Sequence, residues 1–373
     1  MQNRVLHIVS FDNPYPPVYG GVVEVFHKLK ALHELGVSIY LHCFADEIPS
    51  QFPELQRICT EVYFYQIHRR PTGFLSMLPY SVRSRNSLEL LANLDKVKAP
   101  ILFEGIKSAY LVHKKLLPHH PKFLRMHNIE HHYFKGIASS ELNIFKKWAY
   151  SSEAIKLQRF EKIISQFDVV FALSEFENDY ANRMYGNSEY IPVFHGNGKV
   201  LPLEGFGKYA FYHGDLRMSD NLRAVRTLIR IFKDIPDMNL VIASGSGSEV
   251  VARYIGKSAN IKFEKIKSHD QLRQLLVDAH INLVLSYQKS GTKLKLMAAL
   301  FNSRHCIINE NITDDEKVMA LCETVTSDDE IKQKIRKLQR MPFIDFEHRR
   351  DVLEDHLSDL KNARQIIDRI WRN

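Results

Sequence analysis

Three residues whose types can do chemistry stand within five positions, at His127, Glu130 and His131. Their spacing matches H-x-x-E-H, in which two histidines on one face of a helix bind zinc beside a carboxylate. The segment starts directly after a strand-like run and not inside a long helix, so a zinc hydrolase is a minor alternative. At the end of a strand, His127 is placed to hydrogen-bond a ligand or to stabilise a developing charge. A histidine with purely structural hydrogen bonds is the other alternative.

Glycines at strand-to-helix turns form a second group of candidates. Gly20 and Gly21 follow the first strand-like run and precede a helical pattern. Glycine lets a ligand approach the backbone closely, and a helix N-terminus offers unpaired N–H groups and a positive dipole end. The pair therefore suits a diphosphate or a sugar, with an ordinary loop as the alternative.

The segment at Gly291 and Thr292 repeats this arrangement and adds basic residues. Lys293 and Lys295 begin the helical pattern that follows, where their charge would lie beside a bound diphosphate. The alternative is that both lysines are solvated on the helix surface. A further turn, Gly-Ser-Gly-Ser from Gly245, lacks the third glycine of a dinucleotide fingerprint, so NAD binding is not expected.

Short apolar runs alternate with helical patterns around all these candidates. Continuously apolar strands are typical of parallel sheets that are covered on both faces. A stretch rich in glycine and proline at 191–208 marks a linker between two such series. The alternation favours doubly wound sheets in two domains. The predicted strands are 5–11, 38–44, 61–66, 101–103, 122–126 and 169–173, then 209–213, 239–243, 261–263, 281–286 and 306–309.

Five motifs carry a resemblance to a known family. They are Pro-Pro-Val-Tyr-Gly-Gly at 16–21, Met-His-Asn-Ile-Glu-His-His at 126–132, Ala-Leu-Ser-Glu at 172–175, Tyr-His-Gly-Asp-Leu at 212–216 with Asn-Leu-Arg-Ala at 221–224, and Ser-Gly-Thr-Lys-Leu-Lys-Leu-Met-Ala-Ala-Leu at 290–300. Through their order and separations, nearly the whole chain resembles the retaining glycosyltransferases of family 4 (glycosyl transferases group 1). The resemblance implies an α/β protein of the GT-B fold, with two Rossmann-like doubly wound parallel-sheet domains facing across a cleft.

The resemblance also assigns the parts of the chain. It implies an N-terminal acceptor-side domain at 1–198 and a nucleotide-sugar donor domain at 199–345. The remaining residues, 346–373, are expected to form an amphipathic C-terminal helix that packs back on the N-terminal domain.

The activity that the resemblance implies is transfer of a sugar from a nucleotide-diphosphate donor to a hydroxyl acceptor, a glycan or lipid-linked glycan of a bacterial envelope. His127 and Arg217 are the implied catalytic residues, with Arg217 as a surface arginine in the alternative. No cofactor or metal is expected, because in such enzymes helix dipoles and basic side chains stabilise the leaving nucleotide. The implied donor-binding residues are Gly20, Gly21, Gly214, Gly245, Ile266, Gly291, Thr292, Lys293 and Lys295.

One departure from the family pattern bears on activity. Many family members carry two glutamates eight positions apart in the last motif, and Ser290 and Ala298 stand there in this chain. The loss leaves three alternatives open: an altered donor, compensation from elsewhere, or a non-catalytic GT-B scaffold or partner subunit. A nucleotide-sugar epimerase is a minor further alternative, since fold alone does not decide function.

The composition restricts where the protein acts. The 373 residues are 45% hydrophobic and 25% charged, as in globular proteins. No apolar run has the roughly 20 residues of a membrane span, and the chain enters a strand-like run at once, so we expect no signal peptide. The four cysteines are scattered and contain no C-x-x-C pair, which indicates thiols in a reducing cytoplasm.

The positive charge is concentrated in one window. Residues 51–150 hold 15 Lys and Arg against 7 Asp and Glu, a surplus equal to the net charge of +8. This window is either a solvated basic face or a surface attracted to an anionic membrane or lipid-phosphate acceptor on the inner face of the membrane. No nucleic-acid partner is expected, because no recognised binding motif is present.

Overall fold

The computed structural model describes residues 4–69, 76–141, 143–288 and 294–371. These residues divide into two compact units. The N-terminal domain contains 4–196 together with 357–371, and the C-terminal domain contains 197–288 and 294–356.

The N-terminal domain is built on a parallel sheet of seven strands in the order β3-β2-β1-β4-β5-β6-β7. Neighbouring strands pair in parallel throughout, for example Val9 with Phe103 across β1 and β4. The strands are β1 (Val5–Ser10), β2 (Ser38–Ala45), β3 (Glu61–Gln66), β4 (Ile101–Glu104), β5 (Lys122–Met126), β6 (Val169–Ala172) and β7 (Ser188–Tyr190).

Helices cover both faces of this sheet. Val9 and Phe103 belong to the apolar core on one face, and Ile8 and Leu102 belong to the core on the other. Alternate residues of a strand point to opposite faces, so two apolar cores require the continuously apolar strands that the sequence shows. The helices are α1 (Gly20–Glu34), α2 (Pro53–Ile58), α3 (Tyr80–Arg83), α4 (Leu88–Leu94), α5 (Tyr110–His113), α6 (Glu130–Ser140), α7 (Ile144–Phe160) and α8 (Glu175–Tyr185), with 3-10 turns at Ile106–Ser108 and Glu161–Gln166.

The C-terminal domain repeats the plan with six parallel strands in the order β10-β9-β8-β11-β12-β13. The strands are β8 (Tyr209–His213), β9 (Leu240–Ser244), β10 (Ile261–Lys265), β11 (Ala279–Val284), β12 (His305–Asn309) and β13 (Glu323–Val325). The helices are α9 (Ser219–Lys233), α10 (Ser248–Ile255), α11 (His269–Asp278), α12 (Leu294–Asn302), α13 (Glu316–Met319), α14 (Asp328–Leu338) and α15 (Phe346–His356). The predicted pair of doubly wound parallel sheets is thus confirmed.

The C-terminal segment forms two helices where the sequence predicted one. After α15, the chain restarts as α16 (Asp359–Trp371), and Ser358 Oγ accepts a hydrogen bond from the Lys361 N–H at the new N-terminus. Ser and Asp at this position provide the side-chain cap and the negative charge that begin a helix. Asp359 also accepts bonds from the backbone N–H groups of His195 and Gly196, and the apolar face of α16 packs in the same core as α1. The break therefore lets α16 dock on the N-terminal domain.

Candidate functional site

Each sheet has one place where the strand order reverses. In the N-terminal domain this switch lies between β1 and β4, and in the C-terminal domain between β8 and β11. In open parallel sheets, ligands bind at the carboxyl ends of the strands beside such a switch, because the two following loops turn away from each other there. The loops after β1, β4 and β5, and after β8, β9 and β11, are therefore the candidate ligand-binding loops of the two domains.

In the N-terminal domain, the carboxyl ends of three strands bring their side chains together at His127. This residue directly follows β5, and its Nε2 lies 2.8 Å from Oε2 of Glu104, the last residue of β4. The ring of Phe11, which follows β1, packs edge-on against the imidazole at 5.3 Å. A carboxylate only accepts, so the bond orients the ring with its proton on Nε2. His127 is therefore a buried, oriented histidine at the switch-point edge.

A buried ionic network holds Glu104 in turn. Lys28 Nζ lies 2.7 Å from Glu104 Oε1 and donates to Glu24 Oε2 at 2.9 Å. Arg125 Nε donates to Glu24 Oε1 at 2.8 Å. All four side chains have at most 1% of their surface exposed. Two cations and two anions thus neutralise one another beneath His127, which is the condition for charges to remain inside a protein.

Arg125 anchors this network to the backbone. Its two terminal nitrogens donate to the carbonyls of Ile191 and Pro192 at 2.8 and 2.9 Å, so every part of the guanidinium is used. Burial alone would raise the pKa of Glu24, but Lys28 and Arg125 more than offset it and hold that pKa well below its ordinary value. Glu24 is therefore ionised at neutral pH and tied into the ion pairs.

Three residues of this region form the one group with metal-ligand spacing among the residues that the structure describes. Ligand atoms of Glu24, Glu104 and His127 lie within 4.8 Å of one another. The Lys28 ammonium already contacts both carboxylates and supplies the positive charge that a metal ion would bring. The arrangement is therefore a salt-bridge network with an internal cation.

The H-x-x-E-H residues do not share a partner. His127 contacts Glu104, while Glu130 Oε2 pairs with Lys107 at 2.9 Å. His131 Nδ1 lies 3.3 Å from Glu161, and only Glu130 and His131 belong to α6. Because the two histidines are not on one helix face, the geometry gives no support to the zinc hydrolase alternative.

Gly20 and Gly21 open α1 at the same edge of the sheet. Gly20 is exposed at the helix N-terminus. A Cβ added to Gly21 would lie 2.8 Å from Cζ of Phe11, closer than real contacts allow. The absence of a side chain at Gly21 therefore lets the Phe11 ring pack, and through it the contact with His127, while Gly20 remains open to a ligand.

In the C-terminal domain, Gly214 begins the turn after β8. Asn221 closes this turn by donating to the Asp215 carbonyl at 2.9 Å and accepting from the Tyr212 hydroxyl at 3.1 Å. A Cβ on Gly214 would lie only 3.0 Å from the Asn221 side chain. The glycine therefore allows the first residues of α9 to fold close against the turn.

Arg217 lies in the same turn and is exposed over 78% of its side chain. Its guanidinium donates hydrogen bonds to Asp215, the shortest at 2.8 Å. These bonds lower the pKa of the Asp215 carboxyl. Ser246, from the loop after β9, also donates to Asp215 at 3.2 Å. Arg217 is thus paired at the surface, and a phosphate at this turn would have to compete with Asp215.

Lys295 is half-buried in the C-terminal domain. Its ammonium donates to the Leu285 carbonyl at 2.7 Å and to Asn221 Oδ1 at 3.2 Å, and it lies 5.2 Å from the centre of the Tyr212 ring. These contacts fix the end of β11 to the start of α9. Ala298 lies one turn further along α12. The remaining candidates of this motif, Ser290, Gly291, Thr292 and Lys293, lie outside the described residues.

Gly245 and Ile266 stand side by side after β9 and β10. The Ile266 N–H donates to the Ser244 carbonyl at 3.0 Å. Among the described residues, a Cβ on Gly245 would meet the Ile266 carbonyl alone, at 4.0 Å. The space in front of Gly245 is thus open, and a backbone carbonyl faces it.

Four charged residues of the N-terminal network were not identified as candidates from the sequence, although a signal was present. Glu24 and Lys28 are polar positions four apart within the apolar face of α1, and Arg125 interrupts an apolar strand. Glu104 ends another apolar strand. A charge in an otherwise buried pattern must have a partner, but the sequence does not show which one.

A polar group in the C-terminal domain was likewise not foreseen. Asp220 accepts from the Tyr287 N–H at 2.8 Å and from the Ser286 hydroxyl at 2.9 Å. Arg223 stacks over the Tyr287 ring at 3.8 Å. The N-terminus of α9, which follows β8, thereby binds the loop after β11. These two segments lie on opposite sides of the switch between β8 and β11.

No protein-family model matches the chain. An uncharacterised 44.6 kDa protein in the cps region of Klebsiella pneumoniae is 28% identical over 320 residues, which cover 79% of this chain and 80% of that protein.

Solved structures match over the full length. A glycosyltransferase from Rickettsia africae has a TM-score of 0.66 at 12% identity and covers 100% of both chains. The E. coli trehalose-6-phosphate protein bound with UDP-2-fluoro glucose has a TM-score of 0.65 at 10% identity and covers 99% of each chain. The chain therefore has the GT-B fold of glycosyltransferases, as its motifs predicted. Within the described residues, no helix combines the length and apolar character needed to span a bilayer.

Proposed function

We propose that the chain is a glycosyltransferase of the family 4 type, which moves a sugar from a nucleotide-diphosphate donor to a hydroxyl acceptor with retention of configuration. The observation that carries this proposal is the buried His127, oriented by Glu104 at the carboxyl edge of the N-terminal sheet. An oriented imidazole in a water-poor site is suited to bind a sugar hydroxyl and stabilise developing charge. The fold likeness to a protein bound with UDP-2-fluoro glucose supports a nucleotide-sugar donor.

The donor belongs to the C-terminal domain in this proposal. Gly214 is proposed to contact the donor through the backbone of its turn, and Gly245 leaves space beside the Ile266 carbonyl, which is proposed to contact a nucleobase. Gly20, Gly21, Gly291, Thr292 and Lys293 complete the donor contacts, and Arg217 leaves Asp215 to meet the diphosphate. Lys295 acts mainly by joining Leu285, at the end of β11, to Asn221 in α9.

The reaction is proposed to need no metal. The N-terminal network already contains its cations, Lys28 and Arg125, and helix N-termini can stabilise the leaving diphosphate. The relative in the cps region supports an acceptor that is a glycan or lipid-linked glycan in polysaccharide biosynthesis, reached from the cytoplasmic side.

A non-catalytic scaffold is the second candidate, and Ala298 favours it. In the family pattern a carboxylate at that place binds the donor, and an alanine in α12 supplies no such group. The scaffold and the enzyme differ in one measurable respect, because only the enzyme breaks the bond between sugar and diphosphate.

The test combines donor binding with turnover. Thermal unfolding with UDP-, GDP-, ADP- and dTDP-sugars should show a raised midpoint for one nucleotide, since a ligand at 100 times its Kd stabilises by about 2.7 kcal/mol. Gly245→Leu should abolish the shift, because its side chain enters the open space before Ile266. Gly198→Leu is the matched control, since a Cβ there meets none of the described residues within 4 Å.

Turnover is then followed by NMR of the anomeric carbon with the donor that binds. His127→Ala should keep the thermal shift and lose transfer by roughly 100-fold or more. A shift without transfer or donor hydrolysis by the unmodified protein, across glycan acceptors, would favour the scaffold. No shift with any donor would reject both the donor site and the enzyme.

A further inference from the structure

The outer face of α7 exposes large apolar side chains. Ile144, Phe145 and Trp148 have 79%, 84% and 70% of their surface exposed, and Ile155 has 50%. Residues four and seven apart share a helix face, so Ile144, Trp148 and Ile155 form one stripe. Single exposed apolar residues are ordinary, but an aromatic and aliphatic stripe of this kind marks an interaction surface.

A basic pocket lies at the other end of the same helix. It has a volume of about 720 Å³. Its lining includes Lys156 and Arg159 from α7, Arg83 from α3 and Lys114 after α5, while Met77 provides part of an apolar wall. None of the described residues that line it is acidic. A pocket with four cations and an apolar wall favours an anionic group that is joined to an apolar chain.

The stripe and the pocket share one side of α7. Trp148 and Arg159 are eleven residues apart, which is about three turns and about 16 Å along the helix. The single acidic residue of α7, Glu153, is buried and accepts bonds from the backbone N–H groups of Tyr80 and Ser81. The exposed side of the helix therefore presents cations and apolar groups without a compensating carboxylate of its own.

We propose that this face of α7 docks on an anionic lipid surface. Phe145 and Trp148 enter the interfacial layer, where amphipathic rings are favoured, and the pocket at Arg159 receives a lipid headgroup phosphate. A second copy of the chain fits less well, because a two-fold contact would place this cationic face against itself. The proposal stands independently of the enzymatic activity.

The experiment uses the full chain with Trp371→Phe, which leaves Trp148 as the single tryptophan. Vesicles of phosphatidylcholine with about one third phosphatidylglycerol should bind the protein and shift the Trp148 emission to the blue, and pure phosphatidylcholine should not. Raising the salt to about 0.5 M should release it, since exposed charges are then screened. Brominated lipid should quench Trp148 directly.

Two variants and two controls locate the surface. The double variant Lys156→Gln, Arg159→Gln should weaken vesicle binding by about 25-fold, roughly fivefold for each charge. Phe145→Ser should weaken it by about tenfold, because an interfacial anchor is lost. Arg253→Gln with Lys257→Gln, and the exposed Ile344→Ser, make equivalent changes in the C-terminal domain and should leave binding unchanged.

All the altered residues except Lys156 and Trp371 are exposed, and circular dichroism verifies that each variant is folded. Binding that is anionic-lipid dependent and lost only in the α7 variants supports the proposal. It is overturned if the protein ignores anionic vesicles at low salt, or if the α7 variants bind as well as the controls. Self-association that Phe145→Ser abolishes, without vesicle binding, would assign the face to a second copy.

Discussion

The candidate residues of the two domains are held in opposite ways. In the N-terminal domain, His127 rests on Glu104, Lys28 and Arg125, whose side chains are almost wholly buried. In the C-terminal domain, the comparable charged contact joins Arg217 and Asp215, with 78% and 36% of their side chains exposed. Removing one partner of a buried ion pair lowers the free energy of unfolding by several kcal/mol, whereas an exposed pair contributes little to it.

This difference indicates that the candidate residues of the two domains respond differently to a ligand. A network of buried charges has one low-energy arrangement, so it fixes the position of His127 whether or not a ligand is bound. An exposed pair on a turn contributes little to stability, so exchanging Asp215 for another anion would cost Arg217 little. The N-terminal site is therefore preorganised, and the C-terminal site is able to adapt.

The largest expected effect comes from Arg125→Met. The change leaves Glu24 buried without its second cation and removes the donor to the Ile191 and Pro192 carbonyls. We expect a loss of about 3–5 kcal/mol in the free energy of unfolding of the N-terminal domain. Both tryptophans, Trp148 and Trp371, belong to that domain, so denaturant unfolding followed by tryptophan fluorescence reports on it alone. A loss below about 1 kcal/mol in this free energy of unfolding would mean that the buried network does not fix the residues around His127.

Acid should weaken the N-terminal domain through a second buried group, His42. Burial, with smaller contributions from His7 and Lys96, lowers the pKa of His42 to about 3. Its value in the unfolded chain is near 6.5, so the unfolded state takes up the proton first as the pH falls. The stability from neutral His42 is complete above about pH 6.5 and is lost towards pH 3, at about 1.4 kcal/mol for each pH unit.

The measurement is the free energy of unfolding between pH 6 and pH 4, which brackets a loss of about 2–3 kcal/mol from His42. His42→Gln removes the titration and keeps a polar group for the contacts with His7 and Tyr65. The variant should show a slope that is flatter by about 1.4 kcal/mol per pH unit. Identical slopes in the two proteins would show that His42 is not held neutral.

A smaller effect is expected for Gly21→Ala. The added methyl group would overlap the Phe11 ring at 2.8 Å, so the ring must move and lose its edge contact with His127. We expect a destabilisation of about 1–2 kcal/mol, together with lower turnover if the enzyme is active. Gly198→Ala is the control and should be neutral in both assays. A neutral Gly21→Ala would separate the α1 glycines from the site.

The smallest effect on stability should come from Arg217→Ala. The exposed pair with Asp215 contributes on the order of 0.5 kcal/mol or less, so unfolding followed by circular dichroism should hardly change. The same variant should reduce the thermal shift caused by the donor, since the proposed contact between Arg217 and the diphosphate is lost. An unchanged donor shift would leave Arg217 as a surface residue, and a large loss of stability would remove the contrast between the two domains.

Most of the regular structure could be predicted from the sequence. Two strands were not predicted, β7 (Ser188–Tyr190) and β13 (Glu323–Val325). Both lie at a sheet edge and have three residues, and β7 contains no aliphatic residue. A strand of this kind is formed by pairing with a neighbour and not by its own apolar pattern, so a periodicity argument does not find it.

Local patterns decided the two doubly wound sheets, since apolar runs and glycine turns act within a few residues of chain. They also placed His127 at the end of a strand, and the structure confirms that position. The partners of that residue were decided only by tertiary structure. Glu24 meets Arg125 across 101 positions because β1 lies beside β4, and β4 beside β5, so that the strand order brings α1 over their ends. Which buried charges neutralise one another is a property of that packing, because a charge specifies the sign of its partner and not its place in the chain.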